Sequence, residues 1–295
     1  MTGASDPKGL SAGLIGLSAP AFQRTIRWED AAAYAAGTFD PNPRYLDDRD
    51  PARLVAPPIM AAALTAGGNA EIGARILAAS GLTSDDFARQ VHYSEVIEFH
   101  QPLRPGMTLA IHPMLAAIRP HRLGTEMVLR FDATADGVPV FREHLGTLVQ
   151  GLFGPETGRG VSLPGVPLVA RHAKDDFDPS VPSGEDSYGA LDAHIYDRCS
   201  GISYPVHISA ATAQRAGLDG PLVHGTAVLA RSLRHLVEDQ LGGDPSPIRR
   251  IAVRFAGMVL PGTQVRTFVT PDHHFRAEDA HGRPILRDGL VEIAL

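Results

Sequence analysis

Cysteine is almost absent: Cys199 is the only one in 295 residues. A lone thiol forms no internal disulfide and builds no cysteine-rich zinc site, and it fits a reducing cytoplasm. Basic residues are outnumbered, 27 Lys and Arg against 33 Asp and Glu, for a net charge of −6. That balance excludes a non-specific nucleic-acid binder, which needs a basic face. No apolar run reaches the roughly 18 residues of a membrane span. Missing too are a Gly-x-Gly-x-x-Gly after a strand, a Gly-x-x-x-x-Gly-Lys-Ser/Thr loop and a Gly-x-Ser-x-Gly elbow. The nucleotide-binding and α/β-hydrolase folds are therefore without a motif. The opening MTGASDPKGLSAGLIG has neither a basic n-region nor a real apolar core. It is expected to be a flexible tail over residues 1–20, not a signal peptide.

Hydrophobic residues make up 44% and charged residues 20% of the chain, enough for a sizeable core and against long disorder. The length suits two domains of about 150 residues, or one large one. The stretch 154–189 holds Pro155, Pro164, Pro167, Pro179 and Pro182 and the acidic Asp175, Asp176 and Asp178. Proline fixes φ and removes a donor, so this stretch reads as a linker between halves 21–153 and 190–295. The halves resemble each other. VIEFHQPLRPGMTL (Val96–Leu109) and IAVRFAGMVLPGTQV (Ile251–Val265) each place an aromatic, Phe99 or Phe255, before a Pro-Gly pair. Those pairs, Pro105-Gly106 and Pro261-Gly262, stand 156 positions apart. A period that long is a domain duplication.

Each half opens with a short helix (Trp28–Gly37; His194–Gly201), then a proline-containing loop, then a helix of small residues (Pro58–Ala79; Gly225–Leu241). Strand alternation follows in LAIHPMLAAI, EMVLRFDATA, VRTFVTPDHHF and LRDGLVEIAL. Helices segregated from antiparallel strands predict an α+β fold, with a curved sheet wrapping each long helix.

Two loops are the most informative segments. The first reads YAAGTFDPNPRYLDD (Tyr34–Asp48). The second reads IYDRCSGISYPVHIS (Ile195–Ser209) and is followed by AGLDGPLVHGTAVLA (Ala216–Ala230). Together they resemble the MaoC-like hydratase/dehydratase family of the hotdog superfamily, whose loop runs Gly-Asp-x-Asn-Pro-x-His and whose long helix opens His-Gly. Gly37, Asp40, Asn42 and Pro43 match in the first half; Gly201, Pro205, His207, His224 and Gly225 match in the second. The resemblance implies two tandem hotdog folds, the N-terminal one dehydratase-type and the C-terminal one catalytic. The implied activity is that of a cytoplasmic lyase adding water reversibly to 2-enoyl thioesters, with no cofactor beyond coenzyme A or a carrier protein's phosphopantetheine as substrate carrier. Beside the small-molecule acyl substrate, an acyl carrier protein is one candidate partner and a homodimer is open; neither nucleic acid nor membrane is expected. In the family an aspartate and a histidine form the acid/base pair, and a backbone N–H at the long helix's N-terminus holds the thioester carbonyl. That terminus bears about half a positive charge, and an oxyanion donor is commonly worth about 2.7–4 kcal/mol.

The family pair is split in this chain. With His207 in the histidine place, the aspartate place holds Ile202 and the asparagine place holds Tyr204. The first half keeps Asp40 and Asn42 but has Tyr45 in the histidine place. Three readings follow. In the first, hydration persists with His207 alone, or with His207 helped by a side chain from elsewhere, Tyr204 and Tyr196 being the candidates. Alternatively the pocket isomerises or cyclises an unsaturated carbonyl compound, with Ile202 expelling water. In the third, the protein binds acyl thioesters without chemistry. The assigned site is His207 and Tyr204 as catalytic residues, with Ile202, His224 and Gly225 binding substrate. Asp40 and Asn42-Pro43 read as turn and cap residues, and Cys199 as a small buried hydrophobe. His273, His274 and His281 lack carboxylates at metal-binding spacing, so no metal is expected. Arg119, His121, Arg122, Arg249 and Arg250 are surface cations that could meet the phosphates of the carrier.

Overall fold

The computed structural model describes residues 10–87, 89–154, 160–172 and 181–294. In the first half β1 (Phe22–Thr25) leads into α1 (Trp28–Gly37), α2 (Pro43–Leu46) and the long α3 (Met60–Ser80). Four strands follow: β2 (Gln90–Phe99), β3 (Thr108–His121), β4 (Gly124–Ala135) and β5 (Val138–Gln150). A short β6 (Val161–Ser162) in the connecting stretch pairs with β3. The second half repeats the order with β7 (Gly184–Ser187), α4 (Asp192–Ser200), α5 (Pro205–Ile208), α6 (Ala210–Arg215) and the long α7 (Gly225–Leu241). It closes with β8 (Ile248–Phe255), β9 (Gln264–Val269), β10 (His274–Asp279) and β11 (Pro284–Ile293).

The strands run β1-β3-β4-β5-β2 and then β8-β11-β10-β9-β7 in one sheet, so the second five mirror the first. The halves join where β2 pairs antiparallel with β8, and Val96 lies opposite Ala252. That offset, 252 − 96 = 156, is the spacing of the two Pro-Gly pairs. An internal two-fold therefore passes through this junction, and the fold is the expected tandem hotdog.

The helix compositions follow from what surrounds them. On α3, Ala61, Leu64, Thr65, Gly68, Ile72 and Ile76 are buried at three- and four-residue spacing, a single apolar stripe. A Cβ on Gly68 would stand 2.5 Å from the Phe22 ring, so the small residue is what lets β1 cross the helix. Leu229, Leu233, Leu236 and Val237 make the corresponding stripe on α7. Each fully buried aliphatic side chain of this kind contributes about 1.5–3 kcal/mol. Against each other, α1 and α4 pack so closely that a Cβ on Gly37 would lie 2.6 Å from Cys199 Cβ. Cys199 thus fills a helix crossing and is only partly buried.

Three expectations change in detail. Residues 10–19 do not hang free with the expected tail: Leu10 is buried, Gly16 N donates to Leu115 O and Ala19 N donates to Pro113 O. Leu10, Leu14, Ile15 and Leu17 supply the apolar surface that makes this docking favourable. The end of the expected linker forms β7, an edge strand on β9; Pro155, Pro179 and Asp175, Asp176 and Asp178 lie outside the described residues. VRTFVTPDHHF spans two strands, because His273 takes a positive φ of 64° and turns the chain between β9 and β10.

Candidate active site

Gly201 ends α4 in the left-handed region (φ 71°), a conformation that favours glycine, and sends the chain into the loop. Pro205 at the first position of α5 restarts helical backbone, with His207 N donating to Tyr204 O. Further on, Val223 bridges to Val259 and fixes His224 as the residue that caps α7. These three devices bring Ile202, His207, His224 and Gly225 together.

The two imidazoles stack, with centroids 3.7 Å apart. His207 Nδ1 lies 2.9 Å from Leu222 O, and His224 Nε2 lies 2.9 Å from Ile202 O. A carbonyl only accepts, so each of these nitrogens carries the hydrogen and donates it. His207 Nε2 is then left with its lone pair, as a base requires. Burial lowers the pKa of both rings; His224, pushed down further by His207, falls to about 3. Both are neutral at physiological pH. Ile202 is buried at the loop's start, and no carboxylate occupies that position.

The N-terminus of α7 adjoins this pair, and the first-turn N–H groups of a helix lack intrahelical acceptors. Gly225 is small for a packing reason: a Cβ would sit 2.9 Å from the Phe255 ring. Beside it Tyr196 donates to Thr226 Oγ1 at 2.9 Å, which leaves Tyr34 to donate to Tyr196 at 2.9 Å. This hydrogen-bonded chain crosses from the first half to the head of α7. The Tyr204 hydroxyl accepts from Asn69 Nδ2 of α3 at 2.9 Å. Of the two tyrosines weighed as acids, Tyr196 is the one beside a histidine, with its ring 4.9 Å from His224.

A cleft of about 470 Å³ opens between the halves. Tyr34, Met60 and Leu64 line it from one side and Gly201, Ser203 and Tyr204 from the other, with Arg24 and Arg198 also on its wall. Three of the arginines singled out in the sequence, Arg119, Arg249 and Arg250, are engaged within the fold. Arg119 donates to Ser162 Oγ and to the carbonyls of Val166 and Pro167, holding the connecting stretch. Arg250 pairs with Glu292, and Arg249 donates to backbone carbonyls. Among the described residues no cluster of His, Cys, Asp and Glu could hold a metal ion. No helix among them is long and apolar enough to cross a membrane.

The matching loop of the first half is built differently. Asp40 Oδ1 accepts from Asn42 N, Asn42 Nδ2 donates to Gly243 O, and Arg44 pairs with Asp244 across the halves. Tyr45 is buried with Ala35 and Val55.

Residues 181–275 match the model of the MaoC-like domain, and residues 14–143 match that of the FAS1-like dehydratase domain region. The match to the MaoC-like domain thus falls in the second half. Among curated relatives, the mouse peroxisomal multifunctional enzyme type 2 is 27% identical over 184 residues, 62% of this chain and 24% of that protein. A probable enoyl-CoA hydratase 2 of Dictyostelium discoideum is 26% identical over 133 residues, 45% of this chain and 43% of that protein. The chain thus spans less than half the length of these relatives. A MaoC-like dehydratase from Phytophthora capsici superposes with a TM-score of 0.81 at 21% identity, over 96% of this chain and 99% of that one.

Within residues 181–275 the sequence pattern pointed to His207, His224, Gly225 and Ile202 but passed over Asp197. Asp197 lies on α4, with Oδ2 3.9 Å from His224 Nε2. Its position five residues before Ile202 falls outside the loop motif, and only the helical turn brings it to the histidines. Tyr34 was missed for a similar reason, since its partner Tyr196 is 162 residues away.

Proposed function

We propose that the chain is a dehydratase/hydratase interconverting 3-hydroxyacyl and 2-enoyl thioesters, with His207 as the base. The observation that carries this reading is the fixed tautomer of His207: Nδ1–H is tied to Leu222 O, and a neutral Nε2 remains beside the head of α7. In the dehydration direction His207 Nε2 takes the proton from C2 of the 3-hydroxyacyl thioester. The electron pair of that C–H bond moves into an enolate, whose oxygen the N-terminal N–H groups of α7, Gly225 first, stabilise. The C3–O bond then breaks. The departing hydroxyl takes the proton back from His207 and leaves as water, which restores the neutral ring. Hydration is the same path reversed. The thioester is carried on coenzyme A or on a carrier protein, and the cleft between the halves takes the acyl chain. Names borne by the relatives, a multifunctional peroxisomal enzyme and an enoyl-CoA hydratase, support the substrate class.

Incubation with a panel of 2-enoyl and 3-hydroxyacyl thioesters, read by mass spectrometry, tests this. A product differing by about 18 mass units, the mass of water, is expected. The buried Ile202 favours a second reading, isomerisation or cyclisation in a dry site; its sign is a product of unchanged mass. Binding without any product would contradict both.

A further inference from the structure

The MaoC-like loop has lost its carboxylate at Ile202, yet a carboxylate still faces the histidines. Asp197 projects from α4 with its side chain only 14% exposed, and Oδ2 stands 3.9 Å from His224 Nε2. That oxygen is buried and has no hydrogen-bond partner in the structure. A carboxylate oxygen held out of water without a donor is unfavourable unless a nearby charge or ligand compensates it. The neighbours that could compensate are the stacked His224 and His207, since the third titratable group at this end, Tyr196, spends its hydroxyl on Thr226 and Tyr34.

We propose that Asp197 replaces the missing loop carboxylate as a positioning residue: its negative charge stabilises the imidazolium that His207 becomes when it takes the substrate proton. The inference rests on the function proposed above and places the second member of the acid/base machinery on α4. His224 is stacked on His207 and committed through Nε2–H to Ile202 O, which fixes the ring geometry, and the charge of Asp197 acts on His207 through space. The influence of Asp197 on His207 runs in the required direction, raising its proton affinity against the opposing effect of burial.

The test is Asp197→Asn, with Asp197→Glu as the conservative partner. Proton NMR titration of the His207 and His224 rings, assigned with His207→Gln and His224→Gln, reads the coupling without any need for turnover. In Asp197→Asn the His207 midpoint is expected to fall by about half a pH unit or more. kcat is expected to fall roughly tenfold or more with KM within about twofold, and the acid limb of the kcat profile to move to lower pH. Asp197→Glu should recover part of both effects. An unchanged His207 titration in a folded Asp197→Asn protein overturns the inference, as does lost turnover with an unmoved pH profile, which is the mark of a merely structural role. A shifted titration in a protein that converts no enoyl or hydroxyacyl thioester upholds the coupling and sinks the hydration reading instead. Should Asp197→Asn not fold, the charge-removing Asp197→Ser is read in its place, and a His207 titration unmoved in that folded protein overturns the inference.

Discussion

The two loops descend from one pattern and have been put to different uses. In the first half the loop braces the molecule: Asn42 reaches Gly243 O, Arg44 reaches Asp244 and Ser246, and Tyr45 is buried where a histidine would stand. In the second the loop leaves an imidazole nitrogen free beside a helix N-terminus. The surviving aspartate of the first half, Asp40, accepts from the backbone of its own turn and faces Arg234, His235 and Glu238 of α7. In this structure Asp40 serves its own turn, while Asn42 and Arg44 form a strut between the halves.

The sheets differ in the opposite sense. At the 156-residue offset, His92 and Glu95 of β2 correspond to Ile248 and Ile251 of β8. The first half buries a polar cluster there, with His92 Nε2 3.0 Å from Glu95 Oε2 and Glu143 of β5 beside it. Burial pushes both carboxyls well above the ordinary carboxylate range, and their mutual repulsion raises Glu143 further. The second half fills the same places with isoleucine and carries its polar groups at the loop.

Ile202→Asp sharpens the contrast between the loops most strongly. It restores the carboxylate to the second loop, and if the site hydrates, the rate with a 2-enoyl thioester should rise about tenfold or more. A tenfold fall would show a site adapted to exclude water. The cluster beneath α3 predicts the next effect. Above about pH 7.5 an ordinary unfolded histidine is mostly neutral, as is the buried His92 with its pKa lowered to about 4, while the folded Glu95 and Glu143 still hold protons that the unfolded carboxylates have lost. The folded state binds more protons, so stability falls as pH rises, by up to about 1.4 kcal/mol per pH unit for one proton. Melting temperatures between about pH 7.5 and 8.5 should show this decline, and Glu95→Gln should reduce it; an equal slope in the variant would break the account. The smallest effect belongs to the strut. Arg44→Ala removes a partly exposed ion pair and should cost about 1 kcal/mol of stability with turnover within about twofold. Loss of turnover in a folded Arg44→Ala protein would mean that the first loop does more than brace.

Much of this was legible in the chain. The bounds of α1 and α7 follow from their apolar spacing and flanking residues, and the Pro-Gly spacing of 156 reappears as the register of β2 against β8. The loop histidine and the head of α7 are local in sequence, so their motif survives in a linear reading. What was not legible depends on contacts across long separations. Glu95 and Glu143 meet only because β2 pairs with β5, and in a strand read alone a glutamate signals a solvent face. The packing of residues 10–19 was hidden because four apolar residues among glycines and serines have no periodicity of their own.

The central claim is that the second loop carries the chemistry and the first does not. Turnover of the active thioester by His207→Ala and Asp40→Ala, each verified as folded by its melting curve, tests it most directly. The account predicts a loss of about 10²–10⁴ for His207→Ala and a change within about twofold for Asp40→Ala. The reverse order, with Asp40→Ala inactive and His207→Ala near the parent rate, would contradict it and move the active site to the first half.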